Sequence, residues 1–262
     1  MQLKTKSVLF VCSAIILLAS CKKVDAGEGI QTEKRFEIAD FDKIVYSTVG
    51  KLTYTQSDSD RYVTVKTNQD MFEILDVYVE NGILYIETED NYSIKNGDQM
   101  IITVFDDDVN DIVASGSGNV TANFDETYNF DGHSLSCSGS GNINANEVHS
   151  QSQNLSTSGS GSINLSALYT EVTTVKISGS GGITTSGNTN ESNVTMTGSG
   201  SFKAFSFFTY HTNITNSSSG NAEISVDSWL DCQISGSGNV YYKGSPIIVS
   251  SSTGSGKLID AN

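Results

Sequence analysis

A glycine-serine element returns along the C-terminal half of this chain at nearly constant spacing, and that spacing restricts the fold more than any other feature. The last glycine of each Ser-Gly-Ser-Gly-like element is Gly118, Gly141, Gly161, Gly181, Gly200, Gly220, Gly238 and Gly256, at successive intervals of 23, 20, 20, 19, 20, 18 and 18 residues. A period near 20 lies far above a coiled-coil heptad and below the helical repeats, and it suits a solenoid in which each repeat forms one coil.

The columns around that glycine are apolar in register. Two residues after it stand Val120, Ile143, Ile163, Ile183, Phe202, Ala222, Val240 and Leu258. Six residues before it stand Ile112, Leu135, Leu155, Val175, Val194, Ile214 and Cys232, and only Ser250 departs from the series. Inward positions at every second residue mark strands. The spacing therefore predicts an all-β fold: a single-stranded parallel β-solenoid, or β-helix, with about 20 residues per coil. Each coil reads as a strand, a tight glycine-serine turn, a second strand and a looser return, so two parallel sheets are expected.

The turn calls for glycine either because φ is positive or because backbones approach closely. A serine occupies one column of all eight turns, from Ser117 to Ser255. Its hydroxyl suits turn amides or the equivalent serine one coil away. A nucleophile would not recur eight times.

The hydrophobic fraction of 37% is low for one compact core and fits a narrow repeated one. Residues 111–262 form the regular part. Residues 36–110 read as capping coils with longer excursions, since Gly50-Lys51-Leu52 echoes Gly256-Lys257-Leu258 and Gly82-Ile83-Leu84 repeats the glycine-plus-two pattern. Within them Met71 to Val77 has room for one helical turn. A cap is needed because a bare solenoid end exposes unpaired backbone and core.

The first 20 residues read as an export signal, with Lys4 and Lys6 ahead of an apolar run of 11 residues from Val8 to Leu18, too short to span a bilayer. The run ends in Leu18-Ala19-Ser20-Cys21, which resembles the lipobox of bacterial lipoproteins. That resemblance implies acylation of Cys21, a membrane partner reached through the N-terminal lipid, and an exported outer-membrane lipoprotein whose domain faces either the cell surface or the periplasm. Residues 21–35 would then be a flexible tether.

The formal charge of −15, with Arg35 and Arg61 the only arginines, leaves little with which to neutralise phosphates, so nucleic acid is excluded as a partner. Catalytic groupings are also missing from the pattern. His133, His149 and His211 share no column, and from Asp111 onward the basic residues are Lys176, Lys203, Lys243 and Lys257. A lyase acting on acidic sugars wants clustered cations beside calcium-binding carboxylates. Asp106-Asp107-Asp108 with Asp111 reads as an ordinary acidic loop rather than a calcium site, because calcium-binding rolls repeat an aspartate in every coil. The expectation is a non-enzyme without metal or cofactor.

Binding is suggested by aromatic residues whose parity relative to the turn glycine points outward, Phe205, Phe207 and Tyr241, unless a wide return loop folds its own aromatics inward. Exposed rings stack on sugar faces or bury at protein contacts, so the expected ligand is a glycan or a protein on a host or neighbouring cell surface. A homo-oligomer is compatible with the same surface.

Phe41-Asp42-Lys43-Ile44, followed by Gly139-Ser140-Gly141-Asn142-Ile143 and Gly236-Ser237-Gly238-Asn239-Val240, resembles the auto-transporter adhesin head GIN domain family over roughly residues 36–262. The resemblance implies a β-helix and a role in adhesion, with an accessory carbohydrate-binding protein as the alternative and a degenerate polysaccharide-processing enzyme as a third reading. The coil register also separates Cys137 from Cys232 by five coils, roughly 24 Å at about 4.8 Å per layer. A disulfide needs Cα atoms about 4.4–6.8 Å apart, so both thiols are expected to be free and buried.

Overall fold

The computed structural model describes residues 22–127 and 129–262; the proposed signal segment and Cys21 lie outside them. The described chain is a β-solenoid of about seven turns with about 20 residues per turn. The two sequence columns are continuous ladders of parallel strands. One runs Leu84, Ile44, Ile112, Leu135, Leu155, Val175, Val194, Ile214, Cys232 and Ser250. The other runs Ile102, Leu52, Val120, Ile143, Ile163, Ile183, Phe202, Ala222, Val240 and Leu258. Each step adds one residue to a stack that is apolar throughout except at Ser250.

The return is where the expectation of two sheets and a loose loop has to be corrected. In the complete coils the chain stays extended throughout, as in Ile143–Thr157, and alternation slips at Asn146–Glu147 and again near Gln151–Ser152, where successive residues avoid the core. Each slip turns the chain through a corner. Between the corners Val148 and Ser150 point inward and pair with Leu168 and Thr170 of the next coil. The coil is therefore a three-sided prism. Its first face carries the Ile143 ladder, its second the Val148 segment, and its third the Leu155 ladder. Three successive residues of a strand suffice for a side, and the sequence periodicity there is too short to read.

The N-terminal coils have no second face. Tyr62–Asn68 instead runs antiparallel to Ile101–Asp106, and Gln31–Phe36 antiparallel to Tyr62–Asn68. On the third face a hairpin folds Leu75–Glu80 back on Ile83–Thr88 through Asn81 and Gly82, both at positive φ as a two-residue hairpin turn requires. Leu84 thus joins the third-face ladder and not the first-face ladder that its glycine suggested. The helical turn is a 3-10 segment at Gln69–Glu73, capped by the Asn68 side chain. The segment expected as a tether is also structured from residue 22 on: Lys22–Asp25 pairs in parallel with Tyr92–Lys95, and Gln31–Phe36 covers the first face. Val24 and Phe36 pack against the core, which gives these strands a reason to stay.

Close approach, not positive φ, is what the turn glycines supply. A Cβ on Gly161 would lie 1.7 Å from the Gly141 carbonyl oxygen, and one on Gly181 1.7 Å from that of Gly161. None of the eight turn glycines has positive φ. Beside them the residue after the glycine links coils: the Ser162 N–H donates to Asn142 Oδ1 at 3.0 Å, and the Lys257 N–H to Asn239 Oδ1 at 2.9 Å. Cys137 and Cys232 are free and fully buried, on different ladders. Burial pushes the Cys232 thiol up to about 12.

Gly181→Ala is expected to destabilise the protein by on the order of 3 kcal/mol, because the added methyl meets a backbone carbonyl that cannot rotate away. Gly132→Ala should stay within about 0.5 kcal/mol, since its nearest neighbour is the Ser152 Oγ at 3.4 Å. Urea unfolding of the two variants checks the difference.

Candidate binding surface

The corners decide which aromatic residues reach solvent. In the coil starting at Phe202 the first corner falls at Phe205–Ser206, and the parity counted from Gly200 flips beyond it. Phe207 is therefore buried, 1% exposed, which corrects its expected outward placement. Phe208 and Tyr210 take the outward positions at 65% and 53% exposure. Phe205 sits at the corner itself, half-buried, with Lys243 Nζ 4.6 Å from its ring centroid. Tyr241 is half-buried on the outer side of the first face, in the row Lys203, Glu223, Tyr241, Ile259, and its hydroxyl accepts from Asn239 Nδ2 at 3.2 Å. Lys243 lies two residues further along the same strand, so Tyr241 and Phe205 border the same lysine.

Phe205 separates two open grooves. One of about 430 Å³ runs over the first face past Ser166, Thr185, Lys203 and Glu223. The other, about 370 Å³, is lined by Phe205, Phe208, Val226, Asp227 and Lys243. Together they present aromatic walls with two cations, Lys203 and Lys243, and two carboxylates, Glu223 and Asp227, at hand, a composition that stacks and hydrogen-bonds. On the second face nearer the N-terminus lies a more polar groove of about 340 Å³ formed by Glu126, His149, Gln151, Tyr169 and Asn188. There His149 stacks on Tyr169 with centroids 4.9 Å apart, and its Nε2 is 2.7 Å from Glu147 Oε1.

A second row was not legible in the sequence. At the corner between the second and third faces Ser152, Val172, Glu191, His211, Trp229 and Ile247 stack coil upon coil. Tyr210 packs beside His211 at 4.8 Å. Apart from Val172, the row becomes aromatic and apolar only in the last coils. Finding it required knowing that two consecutive outward residues mark a corner.

The acidic loop is an arginine site. Arg61 Nε lies 2.7 Å from Asp106, Nη2 2.8 Å from Asp107 and Nη1 2.5 Å from Asp40. Asp106 is fully buried, and that burial holds its carboxyl above the usual range despite the guanidinium. Asp111 turns away to Lys43 at 3.8 Å. Among the described residues no group of three or more His, Cys, Asp or Glu side chains is placed to hold a metal ion.

The histidines are not brought together. His133 lies in the core between Phe124 and Phe130, with Nδ1 3.0 Å from Gln153 Oε1. Burial pulls it down to about 4 from the ordinary 6.5, against the weaker upward pull of Gln153. The folded state thus binds fewer protons than the unfolded one in this range. Stability from this group is complete above pH 6.5, falls as the pH drops toward 4, and is lost below that. The full loss amounts to about 3 kcal/mol. Denaturant midpoints between pH 7 and 4 should show this slope, and His133→Gln should flatten it.

Comparison with known proteins agrees with this architecture. No curated protein matches the chain. A solved structure from Parabacteroides merdae ATCC 43184, described as a "putative adhesin", superposes with a TM-score of 0.78 at 22% identity, covering 92% of this chain and 100% of that one. Another from Parabacteroides distasonis ATCC 8503, described as a "putative lipid binding protein", gives 0.76 at 24% identity over 92% of this chain and 100% of that one. A third, a "putative adhesin" from Bacteroides fragilis NCTC 9343, gives 0.70 at 20% identity over 90% and 99%. At such identities the likeness concerns the fold. Residues 40–246 match the family described as "Putative auto-transporter adhesin, head GIN domain", and the chain belongs to that family.

Proposed function

We propose that this member of the head GIN domain family is a non-enzymatic lipoprotein of the cell envelope, anchored through Cys21, that holds a rigid solenoid outward as an adhesin-like binding device. The observation that carries the proposal is where its exposed apolar side chains lie. Among the described residues Ile30, Tyr78 and Ile101 are exposed singly at the N-terminal end and Val172 midway, whereas Phe208, Tyr210, Trp229, Ile247, Ile248 and Val249 gather in the last coils, at the end away from the N-terminus. The third-face ladder makes nine steps from Leu84 to Ser250, which spans about 43 Å at about 4.8 Å per step. A lipid at residue 21 thus places the anchor at one end of a stiff rod and the sticky surface at the other.

The grooves beside Phe205 favour a second reading, an accessory carbohydrate-binding protein. Aromatic walls with Lys243, Asp227, Lys203 and Glu223 within the two grooves offer both a stacking platform and partners for sugar hydroxyls. Glycan-array binding that disappears in Phe205→Ser, the residue common to both grooves, would select it.

Cells expressing the chain test the leading reading in two steps. Cys21→Ala should abolish incorporation of a labelled fatty acid, and persistent labelling would remove the anchor. Phe208→Ser with Tyr210→Ser should lower attachment of the cells to target surfaces by at least about tenfold, with the melting temperature unchanged. Unchanged attachment would show that the tip is not the adhesive surface.

A further inference from the structure

The two ends of the solenoid are finished differently. At the N-terminal end the outermost strands are charged: Gln31–Phe36 carries Glu33, Lys34 and Arg35, and Leu75–Glu80 carries Asp76 and Glu80. Charge on an edge strand discourages another chain from pairing with it. At the C-terminal end the strand Ile247–Ser252, sequence Ile-Ile-Val-Ser-Ser-Ser, pairs only with Trp229–Ile234 and contains no charge at all. Pro246 precedes it and does not block it. Its other edge offers unpaired N–H and C=O groups, flanked by Ile247 at 64% and Val249 at 47% exposure.

We propose that this edge pairs with the same edge of a second copy, end to end about a two-fold axis, which gives the adhesin reading above, on which this rests, its partner: another molecule of this chain on an opposing surface. Charge is what singles out a second copy. The chain carries −15 overall, yet from Ser235 to Asn262 it holds Lys243 and Lys257 against Asp260. Two copies therefore repel along their lengths and least of all at their tips. A head-to-tail stack is disfavoured by the charged N-terminal edges, whereas a two-fold contact joins identical surfaces and closes on itself. It also sets the two N-termini at opposite ends of a joined rod, as needed to bridge two surfaces.

The contact is small and polar at its centre. Ser250, Ser252 and Asp260 lie in register with the buried Cys232, Ile234 and the packed Tyr242, so the end plane replaces three core residues with hydrophilic ones, while Ile248 and Leu258 continue the apolar columns of Leu230 and Val240. Edge hydrogen bonds over such a patch make a weak pair that gains strength from many copies on each surface.

Two colours of beads, each carrying the full chain attached through its N-terminal end, should clump together. In antiparallel pairing of the edge, residue 249 of one copy lies opposite or next to residue 249 of the other. Beads with Val249→Lys should therefore lose clumping by at least about tenfold, as should beads with Val249→Glu, while the lysine beads mixed with the glutamate beads should clump again. That rescue separates pairing between copies from simple misfolding, which no partner charge repairs. Beads with Phe208→Ser and Tyr210→Ser should still clump. Wild-type beads that stay dispersed, or charge variants that fail to rescue one another, overturn the inference. Attachment to foreign surfaces is scored separately and decides the adhesin reading. Sensitivity of that attachment to Val249→Lys without any bead clumping would assign the edge to an extended segment of another protein and sink the second copy.

Discussion

Everything in this fold hangs on how closely one turn can lie on the next. Parallel ladders fix neighbouring strands about 4.8 Å apart, and at the turn the backbone doubles over with nothing but glycine between carbonyls. The Gly159 N–H-bearing turn sits so near Gly139 that a Cβ would approach its carbonyl to 2.1 Å, and the contact repeats up the stack at Gly179, Gly198 and Gly254 with values of 2.0 to 2.1 Å. Because the turn stacks, the ladders on either side stay in register. Because they stay in register, one or two buried apolar residues per face per coil are enough to build a continuous core. The low hydrophobic content and the abundance of serine, asparagine and threonine follow from that economy of core.

The same constraint explains how much was legible in the sequence. A residue that must be glycine every 20 positions is visible in one chain, and the ladders of Ile112 and Val120 could be counted from it residue by residue. Legibility stopped at the corners. Phe207 has outward parity relative to Gly200, yet the slip at Phe205–Ser206 carries it inside and leaves Phe208 outside. The second face has no glycine landmark of its own, and its length varies. In the coil beginning at Ile183, one residue shorter there than its predecessor, the register shifts and Gly187 adopts a φ of 108° against the Leu168 carbonyl. The N-terminal cap was harder still, since, apart from the hairpin of Leu75–Glu80 with Ile83–Thr88, its antiparallel strands pair across long sequence separations that leave no periodic trace.

One coil departs from the repeat in a way that only the packed structure accounts for. Its turn reads Ser217-Ser218-Ser219-Gly220, with Ser218 where the other coils have glycine, and Asn216 stands in a ladder otherwise occupied by residues such as Ile177, Met196 and Ile234. The two substitutions answer each other. Asn216 Oδ1 accepts from the Ser218 N–H at 3.0 Å and from its hydroxyl at 2.6 Å, while Nδ2 donates to the carbonyls of Gly220 and Gly238 at 3.1 and 3.2 Å. A buried polar pair survives only when its bonds are all made. Here the bonds run along the stack as well as within the turn, so the coil tolerates a serine without giving up its register.

Arg61 plays the corresponding part in the cap. A buried carboxylate such as Asp106 is costly unless paired, and the guanidinium answers it while also engaging Asp40 and Asp107 from separate loops. Negative charge is thereby gathered at the N-terminal end around a fixed cation, whereas the repeat coils carry their polarity as uncharged amides and hydroxyls. Such a division suits a rod. Hydroxyls and amides can recur at the same position in every coil, where a carboxylate would meet its own copy about 4.8 Å above and below. Charge is kept to the cap and to scattered sites along the coils, and the far end is left nearly neutral. The asymmetry of the surface is thus a consequence of stacking itself: a repeat that lays each residue on its equivalent admits few charges, and charge gathers in the cap, where the stacking has not yet begun.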